Sequence, residues 1–313
     1  MSYKNGAPGD RIAGTLTVPP GKGPFPAVLL IVGSGPNDRD ETVMGHKPFL
    51  VLADYLTRKG IVVLRSDKRG IGQSTGDLAS ATTADFATDA EAGVVFLKTR
   101  SEVDLNRIGL IGHSEGGVVA PMVAVRDHDV AFVVMMAGPG VPGNRIIVNQ
   151  TLLMQKAAGV SEETAEKNAE LEQSILAIVD TESDSTMLES DLRKKLGGSS
   201  SPAQIEAQIK SLISPWYRYF LTYDPGIALR KVRCPVLAIN GEKDLQVSPA
   251  LNLPVIRKAL EDGGNKNFEV DELPGLNHLF QTAKTGSVNE YASIEETISP
   301  VALDKIANWI LKQ

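Results

Sequence analysis

"RIGLIGHSEGGVVAPMVAV", residues 107–125, joins one apolar run to another through Gly112-His113-Ser114-Glu115-Gly116. The first run has the unbroken apolar character of a strand buried on both faces. The second reads as a helix, with a kink expected at Pro121. A G-x-S-x-G run at such a junction suits a sharp strand-to-helix turn that lifts a serine hydroxyl above the sheet edge. Its glycines leave room for neighbouring backbone. The stretch therefore predicts an α/β architecture and a nucleophile, Ser114.

The same pattern recurs at Gly72-Gln73-Ser74-Thr75-Gly76. There the preceding strand is expected to end near Asp67, and "DLASATTADF" starts no helix for several residues. Ser74 reads as a turn or cap residue.

Outward from the elbow, strands are expected at 14–19, 25–33, 61–67, 130–139, 235–241 and 267–273. Helices are expected at 47–58, 84–100, 248–260 (broken by Pro254) and 299–312. Alternation of this kind means a mostly parallel central sheet flanked by helices. Residues 142–228 break the rhythm. They offer helical stretches at 146–158, 162–179 and 203–213, a "LGGSSSP" linker at 196–202 and the aromatic run "PWYRYF" at 215–220. The expected organisation is a core of 1–141 and 229–313 with a helical insertion, 142–228.

A net charge of −6 without a long Lys/Arg cluster argues against a nucleic-acid partner. No run of about 18 apolar residues is present to span a membrane. The opening "MSYKNGAPGD" lacks the apolar core of a signal peptide, so a cytoplasmic product is expected. Cys234 is the single cysteine, which excludes an intrachain disulfide and a cysteine metal cluster. It is expected to be a buried structural thiol. No metal-ligand set is present and no G-x-G-x-x-G follows a strand, so no cofactor is implied.

A serine hydroxyl needs a general base oriented by a carboxylate. Of four histidines, His113 lies inside the elbow with its side chain expected to point away from Ser114, and His46 precedes the first helix. His128 follows the elbow helix, at the opposite side of the sheet. His278, in "LPGLNHLF" just after the last strand, shares the carboxyl edge with Ser114. The acid is expected between serine and histidine in chain order, where "VLAINGEKDLQV" supplies Asp244. Glu242 is the fallback, and Asp271 and Glu272 lie inside the final strand. The oxyanion hole takes one backbone N–H from Glu115 and a second from "GSGPNDRDE", either Ser34 or Gly35.

From about residue 12 these segments resemble the α/β-hydrolase superfamily of serine esterases, lipases and related peptidases. "GHSEGG" matches the nucleophile elbow, "NGEKDLQV" the acid loop and "LPGLNH" the histidine loop. "SDKRGIGQST" is similar to the D-x-R-G-x-G-x-S stretch common after the fourth sheet strand, which makes Ser74 structural. "GSGPNDRDE" followed by "DKRGIGQSTG" most resembles bacterial carboxylesterases of the lysophospholipase-like, dienelactone-hydrolase-related type. One departure is Val32 before Gly33, where many relatives carry His-Gly. The resemblance implies the α/β-hydrolase fold, with the insertion as a cap that shapes the substrate pocket.

The expected reaction is two-step acyl transfer to water on a small-molecule acyl ester. Trp216, Tyr217, Phe220 and Met154 are candidates to line an apolar acyl pocket, which favours short- to medium-chain esters. A peptidase (aminopeptidase-like) or an acyltransferase would use the same triad, and a non-catalytic binding protein on this fold would not need it. Nothing in the sequence fixes the oligomeric state.

Overall fold

The computed structural model describes residues 1–5, 10–182, 184–197 and 201–313. Eight strands occur among them: β1 (Ser2–Lys4), β2 (Arg11–Thr17), β3 (Phe25–Ile31), β4 (Val62–Ser66), β5 (Val103–His113), β6 (Phe132–Met136), β7 (Val236–Gly241) and β8 (Phe268–Leu273). They form one sheet in the order β1-β2-β4-β3-β5-β6-β7-β8. β1 pairs with β2, and β2 with β4, in antiparallel register; every later pairing is parallel. β1 is too short to be read from sequence and pairs only along the outer edge of β2.

Alternate residues of the central strands enter two cores, as period-2 geometry requires. Leu29, Leu64, Leu110, Val133 and Ala238 face a layer built with α2 (Thr83–Lys98), α3 (Gly116–Arg126) and α10 (Pro249–Asp262). Val28, Leu30, Val63, Val134 and Leu237 face α1 (Pro48–Arg58) and α11 (Pro300–Ile310). Both faces are covered, which is why these strands read as continuous apolar runs rather than alternating ones. Gly60 closes α1 in the left-handed region at φ 90°, and the Ile61 N–H returns to the Leu56 carbonyl.

The break expected at Pro254 does not occur: α10 runs through it. Proline there removes only the donor to the Ala250 carbonyl, and both residues are exposed, so water can satisfy that oxygen.

Between β6 and β7 the chain is helical: α4 (Gly143–Ala157), α5 (Glu162–Thr181), α6 (Ser185–Leu196), α7 (Pro202–Leu212), α8 (Pro215–Thr222) and the one-turn α9 (Gly226–Leu229). Ile175, Leu176, Val179, Leu188, Leu192, Ile205, Ile209, Leu212 and Leu221 give this block a core of its own. α6 escaped the sequence reading because only Leu188 and Leu192 are buried on an otherwise charged helix. Of the expected 196–202 linker, residues 198–200 lie outside the described residues. The aromatic run forms α8, capped by the Ser214 hydroxyl accepting from the Tyr217 N–H, with Pro215 in the first turn.

Candidate active site

β5 delivers the chain to Ser114 and α3 takes it up at Gly116. Ser114 stands at φ 52°, where a non-glycine residue costs on the order of 1–3 kcal/mol unless its surroundings impose it. Here they do. The Ser114 N–H donates to the Met136 carbonyl at 2.9 Å, and the Ser114 carbonyl accepts from the Gly117 N–H at 2.8 Å. A methyl group on Gly112 would collide with the Gly116 carbonyl, and one on Gly116 with the Ile31 carbonyl. From Ile108 to Ala124 every residue is buried except Ser114. Ser74 is buried instead: its hydroxyl accepts from the Ala13 N–H at 2.9 Å and donates to the Asp67 carbonyl at 2.8 Å, pinning β2 to the loop.

The loops after β7 and β8 bring Asp244 and His278 together. His278 Nδ1 meets Asp244 Oδ2 at 2.8 Å, with both side chains buried. Asp244 Oδ1 accepts from the Gln246 and Val247 N–H groups, each at 2.8 Å, so the carboxylate meets three donors. The rivals are engaged elsewhere. Glu242 accepts from the Gly275 N–H, Asp271 pairs with Lys305, and Glu272 is exposed on β8. His46 is buried with its ring nitrogens against Thr297 Oγ1 and the Tyr291 carbonyl, and His128 is exposed beyond α3.

His113 ties the elbow to the histidine loop. Its Nε2 donates to the His278 carbonyl at 2.9 Å, and the two rings lie 4.8 Å apart. Its Nδ1 lies 3.0 Å from Glu41 Oε1, which also accepts from the Gly33 N–H at 2.6 Å. Burial pulls the His113 pKa down. The Glu41 charge and hydrogen bond, helped by the His278 carbonyl, outweigh it and hold the pKa above the usual imidazole value.

The loop after β3 lies against the serine: a methyl group on Gly33 would come within 3.1 Å of Ser114 Cβ. Among the described residues the N–H groups of Ser34, Gly35 and Glu115 have no protein acceptor. Gly35 is turned to φ 90°, and its carbonyl accepts from the Asn37 N–H.

The sequence reading missed the Glu115 side chain and its partners. Its carboxylate is buried and accepts from Thr83 Oγ1 (2.7 Å), Trp216 Nε1 (2.7 Å) and Lys68 Nζ (3.0 Å). Lys68, also buried, donates to the Gly33 carbonyl at 3.0 Å and sits 3.8 Å over the Phe86 ring. A lysine in a D-K-R-G loop carries no sequence mark separating it from a solvated one, because its partners come from distant segments.

Of the pocket candidates, Trp216 reaches the elbow through Glu115 and stacks on Phe220, rings 5.4 Å apart. Phe220 packs on Val141, Ile146 and Val247, beside the Asp244 loop. Tyr217 joins the helical block's own core, where burial pushes its pKa up. Met154 lies half-buried on α4, its sulfur 3.5 Å from Gln150 Nε2. Cys234 is half-buried, with burial pushing its thiol up to about 11. Among the described residues no group of three or more His, Cys, Asp or Glu could hold a metal ion, and no helix is long and apolar enough to cross a membrane.

A family model described as X-Pro dipeptidyl-peptidase (S15 family) matches residues 8–253, a span that includes Ser114 and Asp244. The chain belongs to the S15 family. Esterase EstD of Thermotoga maritima is 30% identical to this S15 chain over 301 residues, which are 96% of the chain. The chain spans just under two thirds of EstD, 66% of its length. Est1E from Butyrivibrio proteoclasticus, solved with ferulic acid bound, superposes with a TM-score of 0.59 at 16% identity, covering 100% of this chain and 98% of that one. The Pyrococcus furiosus esterase Pf2001 gives 0.59 at 14% identity, covering 100% and 89%. These structures establish the α/β-hydrolase fold.

Proposed function

We propose that this S15 chain is a serine carboxylesterase acting on short- to medium-chain acyl esters. Ser114 is the nucleophile, His278 the general base and then acid, and Asp244 the group that keeps Nδ1 protonated so that Nε2 is free to accept. The N–H groups of Glu115 and Ser34 receive the oxyanion. The observation that carries the reading is the buried 2.8 Å bond between His278 Nδ1 and Asp244 Oδ2, on a loop anchored by His113, the residue before Ser114. The name of the relative EstD supports an ester as substrate. Residues 142–228 form the cap, and Trp216 and Phe220 are the pocket candidates best supported by their contacts.

In the reaction His278 takes the Ser114 proton as Oγ attacks the ester carbonyl. The tetrahedral intermediate collapses as protonated His278 gives that proton to the leaving alkoxide. Water then repeats the sequence on the acyl-enzyme and releases the acid. Ser114→Ala is expected to lower kcat on p-nitrophenyl acyl esters on the order of 10⁶-fold, as in comparable triads. Near-wild-type turnover, or failure of a fluorophosphonate to label Ser114, would overturn the reading. A peptidase is the second reading, favoured by the description of the matching family. Faster cleavage of X-Pro dipeptidyl amides than of esters would select it.

A further inference from the structure

We propose that the Glu115 carboxylate is a positioning group that transmits the seating of the helical block to the oxyanion-binding amides, with Trp216 as the contact that completes it. The inference rests on the reading of Ser114 as nucleophile and of the Glu115 and Ser34 N–H groups as oxyanion donors.

Glu115 does two jobs in this reading: its N–H, which has no protein acceptor, serves as an oxyanion donor, while its carboxylate, in a residue 2% exposed, is buried among donors. A carboxylate so buried must be met by donors, or its desolvation is left uncompensated. The donors come from separate parts of the fold: Thr83 from the first turn of α2, Lys68 from the loop after β4, and Trp216 from α8. Thr83 and Lys68 are buried, whereas Trp216 is half-exposed and belongs to the block inserted between β6 and β7. It is the donor most readily surrendered to water.

Lys68 makes the consequence reach further. Its ammonium bridges Glu115 Oε2 and the Gly33 carbonyl, each at 3.0 Å. Gly33 immediately precedes Ser34, and its own N–H is held by Glu41 at 2.6 Å. One ammonium thus touches both segments that supply the oxyanion N–H groups. With Trp216 in place, Oε1 has two donors and Oε2 keeps its ion pair. Without it Oε1 retains Thr83 alone, the carboxylate must shift toward its remaining partners, and both amides move with it. A seated cap and an ordered oxyanion hole are therefore one event.

The test uses the whole enzyme and Trp216→Phe, which removes the indole N–H and keeps a ring to stack on Phe220. Losing a hydrogen bond to a charged group is expected to lower kcat about 10- to 100-fold, a larger factor than the change that the altered pocket ring makes to KM for a p-nitrophenyl ester. An alkyl boronic acid, whose tetrahedral adduct on Ser114 places an oxygen in the hole, should lose affinity by the same factor as kcat. Inhibition by the alcohol product, which puts no oxygen in the hole, should stay unchanged. A purely packing role would instead move KM and product affinity. Wild-type kcat and boronate affinity within twofold in this variant would overturn the inference. Should Trp216→Phe not fold, Thr83→Val removes the other Oε1 donor, with the same expected losses and the same refuting result. Fluorophosphonate labelling of Ser114 in the wild type keeps the two claims apart: its absence sinks the esterase reading, whereas its presence with an unaffected variant sinks only the coupling.

Discussion

Asp244→Asn is the most informative single change, because the geometry dictates how asparagine must sit. Asp244 Oδ1 accepts two backbone N–H groups and Oδ2 accepts His278 Nδ1, all at 2.8 Å. An asparagine with its carbonyl at the Oδ1 place keeps both backbone bonds and sets its NH₂ against Nδ1. The flipped rotamer sets NH₂ against two amide donors, exchanging one donor–donor conflict for two. The first arrangement therefore wins, and the imidazole relieves the conflict by moving its proton to Nε2. In that tautomer Nε2 has no lone pair to receive the Ser114 proton. A triad whose histidine is forced into the wrong tautomer loses about 10⁴ in kcat, about 5.5 kcal/mol of barrier at 1.36 kcal/mol per decade. Stability should fall much less, since the two backbone bonds survive. Initial rates on p-nitrophenyl acyl esters, with thermal melting of the same preparations, measure both quantities. Activity within tenfold of wild type at an unchanged melting temperature would refute the reasoning, because Asp244 would then not govern the tautomer.

Ser74→Ala should leave kcat within about twofold, yet cost on the order of 1–3 kcal/mol by orphaning the buried Ala13 N–H, as read by urea unfolding. Gly112→Ala should abolish soluble, folded protein or melt it far below wild type, because the added methyl collides with the Gly116 carbonyl; circular dichroism and size-exclusion chromatography would show a native-like variant if the elbow tolerates it. His113 has a folded pKa above its ordinary value of 6.5. The stability it adds is therefore full below the unfolded-state pKa, about 6.5, and is lost as pH rises through the folded value. The melting-temperature gap between wild type and His113→Gln should be widest in acid and narrow with rising pH; a gap independent of pH counts against a charged His113.

Local chemistry made much of this protein legible. Gly112 to Gly116 between two apolar runs marks a strained turn because only glycine fits where the Gly116 and Ile31 carbonyls press in. The buried strands announced themselves because both faces of the sheet are covered, which demands unbroken apolar runs. Ser74, alike in pattern, was separable because no strand runs into it and no helix follows. His278 and Asp244 could be chosen by chain order and loop position, and the structure puts them 2.8 Å apart.

Other features had no local signal. β1 exists because β2 offers it an edge, and α6 because Leu188 and Leu192 find a pocket among neighbouring helices. Glu115, Lys68, Thr83 and Trp216 read singly as a helix-start acid, a loop lysine, a cap threonine and a packing aromatic. Their meeting depends on distant segments, Trp216 lying 101 residues beyond Glu115, arriving at one buried point. The sequence by itself therefore determined the elbow, the layered sheet and the candidates proposed as reacting side chains, since these follow from steric and periodic rules acting over a few residues. Which charges are buried together, and how the inserted helices are fastened to the elbow, was decided by the tertiary structure alone. Desolvation and long-range pairing belong to the packed molecule, and no short stretch of chain encodes them.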